Sequence, residues 1–273
     1  MNNILNDINV KLKKININDK QKRKYMISKS KIRSIDSSLA IEAYNHINEY
    51  NYKSENDLLK LHELMMKYFD EDNGNYRNHG EGVKRKDEII YMAPESILVP
   101  SLMKSLFEYI SSSDLNIIIL SAIFHYYFVF IHPFSDGNGR CARFWVTLML
   151  INYDKNFEFI PLEEEIYLNQ ENYYLAIAEC HNNGNANVFI KFILQTINSS
   201  LDKLIKNSNF VCNDIQNKII ELIANNNRIT QNEIANITNV NVRTVKRNFK
   251  ILIDNLIIER IGSDKAGYWQ ILK

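Results

Sequence analysis

From Ile35 onward the apolar residues recur at intervals of three and four, the spacing of helices that bury one face. Asp36, Ser37 and Ser38 offer capping oxygens, so a helix is expected over Ser37 to Tyr50. Ser54 caps a second, expected to reach Phe69, in which Leu58, Leu61, Met65 and Phe69 share a face. Asp72-Asn73-Gly74-Asn75 breaks the period. Val83 and Ile89-Ile90-Tyr91 then suggest a short β-hairpin. Pro100 stands in the first turn of a further helix, with Leu102, Met103, Leu106 and Phe107 inward. Asp114 is expected to cap a long apolar helix that stops at Ile131, because His132 precedes a proline and avoids the α region. Another helix begins just past Gly139, and two more are expected over Pro161–His181 and Ala186–Lys206.

The tail reads differently. Asn213–Asn225, Gln231–Ile237 and Val242–Asn255 predict three short helices, followed by strands over Ile257–Ile261 and Tyr268–Leu272. Three helices and a hairpin in that order make a winged helix-turn-helix. The expected fold class is therefore mainly α, a helical core with a short β-hairpin, followed by a small winged helix-turn-helix domain. The expected division is a basic arm over 1–34, a helical domain over 35–206 and the winged helix over 212–273.

Composition adds exclusions. A length of 273 residues with 45 % hydrophobic and 24 % charged residues suits a globular chain of about two domains at 100–200 residues each. Three cysteines, Cys141, Cys180 and Cys212, are too few and scattered for a disulfide framework or zinc site. The first 36 residues hold no apolar signal segment, and Ile117–Ile131 falls short of the roughly 20 residues that span a bilayer. No membrane partner is expected, and the expected location is cytoplasmic. The net charge of +1 divides into +7 over residues 1–36, −9 over 37–211 and +3 over 212–273. An acidic centre between basic ends points to separate tasks.

The chemistry concentrates in His132-Pro133-Phe134-Ser135-Asp136-Gly137-Asn138-Gly139-Arg140-Cys141-Ala142-Arg143. His132 ends a buried helix and can act as a base near neutral pH. Gly137 and Gly139 let backbone N–H groups converge where a new helix opens, a place that attracts anions. Asn138 adds an amide donor, and Arg140 and Arg143 can turn to the same anion. Asp136 offers a hard oxygen for the Mg²⁺ that accompanies phosphates. A base, an anion nest, paired arginines and a carboxylate describe phosphoryl or nucleotidyl transfer.

This run resembles the signature of the Fic family, His-Pro-Phe-x-Asp-Gly-Asn-Gly-Arg-x-x-Arg, at every fixed position. Gly74-Asn75-Tyr76-Arg77, Val99-Pro100-Ser101-Leu102-Met103, Tyr173-Tyr174 and Asn182-Asn183-Gly184 resemble further Fic landmarks in order, so the resemblance covers about residues 35–205. It implies transfer of AMP from ATP to a Tyr, Ser or Thr hydroxyl of a protein. In that reading His132 takes the hydroxyl proton, Asp136 holds Mg²⁺, and Gly137, Asn138, Gly139 and Arg140 cradle the phosphates. Arg143 meets the γ-phosphate, and Tyr174 and Asn182 serve the adenosine. Val83, Lys84, Ile89 and Ile90 belong to a flap that clamps the target by strand addition. Gly139 stands where Doc-type kinases have a lysine, which favours AMP transfer over phosphorylation.

Ser38-Leu39-Ala40-Ile41-Glu42 resembles the Ser/Thr-x-x-x-Glu motif of the helix that inhibits many Fic proteins, with Ala43 where the family has Gly or Asn. The resemblance implies that Glu42 pairs with Arg143 and displaces the γ-phosphate. In the tail, Arg243, Lys246, Arg247 and Lys250 fall on the presumed recognition helix and are candidate DNA contacts. Self-modification, DNA and a second copy of the chain are the further partners open to it. Two other readings stand beside AMP transfer: a DNA-binding regulator whose Fic domain senses nucleotide, and a hydrolase that removes AMP.

Overall fold

The computed structural model describes residues 1–15, 38–69, 72–85, 88–208, 210–255, 257–263 and 266–272. The chain divides into two compact units, one built from Met1–Leu12 and the described residues of 28–201, the other from the described residues of 13–27 and those from Asp202 onward.

The first unit contains α1 (Asn2–Leu12), α2 (Ser38–Asn45), α3 (Glu55–Met66), β1 (Gly82–Arg85), β2 (Glu88–Met92), α4 (Val99–Ser112), α5 (Ile117–Ile131), α6 (Asn138–Tyr153), α7 (Leu162–Leu168) and α8 (Gln170–Asn183). Helix α9 (Asn187–Ser208) follows. The core lies along α5 and α6. Phe124 and Phe128 of α5 and Phe144 and Trp145 of α6 are fully buried. Each such side chain contributes about 1.5–3 kcal/mol by leaving water. Trp145 also donates its indole N–H to the Tyr52 carbonyl at 3.0 Å, so its polar handle is satisfied. This core fixes the end of α5 and the start of α6, between which the motif loop hangs.

The strands β1 and β2 pair antiparallel, with Val83 opposite Tyr91 and Lys84 opposite Ile89, and a bulge between Val83 and Lys84. The hairpin is where the alternating apolar residues placed it.

Four expectations are corrected. Within the basic arm expected over 1–34, residues 2–12 form α1 as a first element with Ile8 and Leu12 buried, which the helical pattern does not place. The helix expected from Ser37 to Tyr50 ends at Asn45 and gives way to a 3₁₀ turn over Ile47–Glu49. His46 leaves the α region there, and its Nδ1 sits 2.7 Å from Glu49 Oε1. Ser37 itself lies outside the described residues. The cap of α5 is Asn116, whose Oδ1 accepts from Ile118 N at 2.9 Å, not Asp114. Ser113 is extended, so Asp114 sits too far upstream to reach the first turn. The helix expected over Pro161–His181 is broken at Asn169, whose backbone leaves the helical region while its amide donates to the Glu165 carbonyl at 2.8 Å.

The second unit contains α10 (Asp214–Asn225), α11 (Gln231–Thr238), α12 (Val242–Asp254), β3 (Ile258–Ile261) and β4 (Tyr268–Ile271). Capping boxes open α10 at Asn213 with Gln216 and α11 at Thr230 with Glu233. Asn239 ends α11 in the left-handed region, which turns the chain into α12. Ile219, Ile234, Val245, Phe249, Leu252 and Trp269 form the core. β3 and β4 pair antiparallel as the wing. Among the described residues no helix is long and apolar enough to cross a membrane.

Candidate active site

The motif loop is built around backbone geometry that few residues accept. His132 caps α5 in the left-handed region at φ 51°. That conformation costs a non-glycine residue on the order of 1–2 kcal/mol, so the surroundings must hold it. They do so through Arg77. This side chain is 2 % exposed. Its Nε donates to the His132 carbonyl at 2.7 Å, Nη1 to the His79 carbonyl at 2.7 Å, and Nη2 to the Pro94 carbonyl at 2.6 Å and the Ile131 carbonyl at 3.3 Å. His79 precedes β1 and Pro94 follows β2, so one guanidinium ties both legs of the hairpin to the backbone of His132. A buried cation with four carbonyl acceptors is stable where an unpaired one is not.

The imidazole of His132 is half-buried, and burial lowers its pKa from 6.5. The Glu81 carboxylate and the Val129 carbonyl pull the other way without overcoming burial. Nδ1 is buried without a hydrogen bond of good geometry, and Nε2 is the nitrogen left accessible. The ring is thus neutral at neutral pH, the state a general base requires.

His62 of α3 supports the loop from below. Its Nδ1 accepts from Gly74 N at 2.9 Å, which leaves Nε2 to donate to the Asp136 carbonyl at 3.0 Å. Its ring stacks on Phe134 with centroids 3.7 Å apart. Gly137 opens α6 at φ 76°, and a Cβ there would lie 2.8 Å from Met66 Sδ. The turn therefore requires glycine, and any larger residue would also displace the Met66 side chain.

Asn138 corrects an expectation. The sequence offers its amide as a phosphate donor, but the side chain is buried and turned inward. Its Oδ1 accepts from Phe134 N at 2.9 Å and its Nδ2 donates to the Phe134 carbonyl at 2.7 Å. The amide closes the loop. What remains for an anion is backbone: Cys141 N makes the first helical bond to the Gly137 carbonyl, so the N–H groups of Asn138, Gly139 and Arg140 have no partner within the helix.

Asp136 has an exposed carboxylate held by Gly137 N and, at 3.2 Å, by Arg140 Nη2. One carboxylate fits a Mg²⁺ that takes its other ligands from phosphates and water. Among the described residues no group of three metal-binding side chains forms a closed cage. Arg143 crosses back over the helix start, and a Cβ on Gly139 would come within 2.9 Å of its Nη1. The absence of a Cβ on Gly139 thus leaves room for the guanidinium.

The pair expected between Glu42 and Arg143 is not formed. Glu42 is exposed on α2, and Arg143 Nε lies 3.7 Å from Oε1 of Glu163 instead. Ser38 is the first residue of α2. Tyr174 and Asn182 lie on α8, Tyr174 half-buried and Asn182 exposed. Val83, Lys84, Ile89 and Ile90 lie on the paired strands. Cys141 is buried, and its thiol is pushed up to about 12, which leaves it unreactive. Arg243, Lys246, Arg247 and Lys250 are all exposed on α12, on one face at spacings of three and four.

The Fic/DOC family model matches residues 52–150, which include the whole motif loop. The chain carries a Fic domain. A winged helix-turn-helix DNA-binding model matches residues 213–259 behind it. A crystal structure of a Fic family protein from Desulfovibrio desulfuricans G20 shares the fold at a TM-score of 0.68 and 24 % identity, covering 98 % of this chain and 94 % of that one. Curated relatives of the Fic domain include the protein adenylyltransferase Fic of Drosophila yakuba, 33 % identical over 91 residues, which are 33 % of this chain and 17 % of that protein. The Drosophila erecta protein of that name is 27 % identical over 152 residues, 54 % of this chain and 28 % of its own. A probable protein adenylyltransferase of Aquifex aeolicus (strain VF5) is 29 % identical over 107 residues, 37 % of this chain and 31 % of its own. The chain thus matches less than a third of the length of these relatives.

The sequence assigns His62 and Glu163 no work at the site, and Arg77 appears only within a landmark run, with no role given to it. His62 left one signal, a histidine on the apolar face of a predicted helix.

Proposed function

We propose that this chain transfers AMP from ATP to a hydroxyl group of a protein, Tyr, Ser or Thr. The observation that carries it is the neutral, half-buried His132 held at the end of α5 beside the free N–H groups that open α6. His132 Nε2 accepts the hydroxyl proton as that oxygen attacks the α-phosphorus of ATP, and pyrophosphate leaves. The N–H groups of Asn138, Gly139 and Arg140 stabilise the phosphate charge at the helix N-terminus. The Asp136 carboxylate would hold a Mg²⁺, which would supply charge neutralisation for the phosphates. Arg143 meets the γ-phosphate. Tyr174 and Asn182 face the adenosine, and the hairpin carrying Val83, Lys84, Ile89 and Ile90 receives the target backbone as an added strand. Ser38 and Glu42 restrain the reaction from α2, and any hold of Glu42 on Arg143 must compete with Glu163.

The test is incubation with Mg²⁺ and ATP labelled at the α- or γ-phosphate, for the parent, Glu42→Gly and His132→Ala. Protein label from α-ATP alone is expected, at least tenfold stronger in Glu42→Gly and absent in His132→Ala, a loss of about 10²–10⁴-fold being typical for a general base. Label from γ-ATP overturns AMP transfer in favour of phosphorylation. Loss of AMP from a pre-modified protein, with no label gained, favours the hydrolase.

A second reading concerns the winged helix. The exposed stripe of Arg243, Lys246, Arg247 and Lys250 suits the phosphates and bases of a duplex, so the second unit is proposed to bind DNA.

A further inference from the structure

The arginine above the phosphate nest has a partner outside the motif. Glu163 lies in the first turn of α7 and is 7 % exposed. A buried carboxylate is costly unless it is paired and hydrogen-bonded. Oε1 of Glu163 meets both conditions. It faces Arg143 Nε at 3.7 Å and accepts the Tyr44 hydroxyl at 2.7 Å. Tyr44 sits in α2, buried, and its ring packs edge-on against Phe144 of α6 with centroids 4.8 Å apart. Burial and the adjacent carboxylate hold its pKa well above 10.0, so it stays a donor.

Geometry gives this pairing a direction. The guanidinium is planar, and Nε is its inner nitrogen. A carboxylate drawn to that edge orients the plane about the side chain. The terminal nitrogens are left on the far side, where Nη1 stands over Gly139 at the opening of the nest. The motif supplies the arginine, and a residue twenty positions downstream aims it.

We infer that Glu163 is the positioning residue of this site, orienting Arg143 through Nε so that its terminal nitrogens select a triphosphate over a diphosphate, with Tyr44 holding Glu163 from α2. The inference rests on the reading that Arg143 meets the γ-phosphate. It places the carboxylate that faces this arginine on α7, held through Tyr44 by the same helix that carries Glu42.

The experiment compares Mg·ATP and Mg·ADP affinities by calorimetry in the full-length chain with His132→Ala, so that bound ATP is not consumed. The parent is expected to prefer ATP. Glu163→Gln, which keeps the shape and loses the charge, should narrow that preference about tenfold while ADP binding stays within about twofold. Tyr44→Phe should narrow it about threefold. Arg143→Ala should narrow it at least as far as Glu163→Gln. A parental ratio in Glu163→Gln, with Arg143→Ala narrowed, overturns the inference and leaves the AMP-transfer reading standing. An unchanged ratio in Arg143→Ala defeats both. Equal loss of ATP and ADP binding in Glu163→Gln makes Glu163 a packing residue and overturns the positioning role. If Glu163→Gln does not fold, Tyr44→Phe decides by the same ratio.

Discussion

The motif loop and the exposed face of α12 carry similar residues and use them in opposite ways. Over His132–Arg143 several polar side chains are turned to the protein itself: Asn138 bonds to Phe134, Asp136 to Gly137 and Arg140, and Arg143 faces Glu163. On α12 the polar face stands clear of the core, with Arg243, Lys246, Arg247 and Lys250 exposed while Val245, Phe249 and Leu252 hold the helix down. The loop must place a few groups to within fractions of an ångström, so the Asn138 side chain builds the shape and leaves its backbone N–H to face outward. A face that meets phosphates needs mobile charge more than a fixed position. A polar residue in a motif is therefore no guide to which of its atoms face the ligand.

Substitutions on the two sides should separate this contrast. The largest effect is expected from Arg77→Met, which leaves the carbonyls of His132, His79 and Pro94 without their donor. It should lower stability by about 2–4 kcal/mol and suppress transfer, read by thermal unfolding and α-ATP labelling. Survival of both at parental values would break the claim that the loop is held by its own partners. Each of Lys246→Ala and Arg247→Ala should change stability by less than about 0.5 kcal/mol. Where the removed side chain neutralises a DNA phosphate, the dependence of log affinity for random duplex on log salt should flatten by about 0.9. Duplex binding with no salt dependence, or none at all, would remove the DNA reading of α12.

The smallest effects concern pH. Since burial lowers the His132 pKa, the ring stays neutral to below pH 6.5, and the acidic fall in transfer rate should begin below that value. His125 is fully buried on α5, and burial with the Arg143 charge brings its pKa down to about 3. The unfolded chain takes up a proton near 6.5 and the folded one resists it. Its contribution to stability is complete above about pH 6.5 and is lost as pH falls toward about 3, at up to about 1.4 kcal/mol per pH unit. Thermal unfolding across that range, compared between the parent and His125→Gln, checks the slope.

The hairpin, the motif loop and the winged helix were legible because their signals are local. Alternation at Val83 and Ile89–Ile90, glycines beside an Asn and caps at Asn213 and Thr230 act within a few residues. The break at Asn169 and the cap at Asn116 were not, since several polar residues nearby competed on equal terms and packing decided. The partners of the loop were hidden for another reason. Tyr44 and Glu163 lie 119 positions apart, His62 and Asp136 74, and Arg77 and His132 55. A buried charge in such a pair looks like a surface residue until its partner is placed. The expected Glu42–Arg143 pair went astray at that point, because a resemblance names one carboxylate and the fold supplies another.

Arg77 also sets a length. By gripping both legs of the hairpin where they leave the body of the unit, it makes His132 the origin from which distances along β1 and β2 are measured. Under the proposed strand addition, a target chain keeps the same face toward the hairpin only in steps of two residues, about 6.6 Å. Each step brings a different side chain to the imidazole. Under that pairing, choice of the modified residue then becomes a matter of counting from a fixed end.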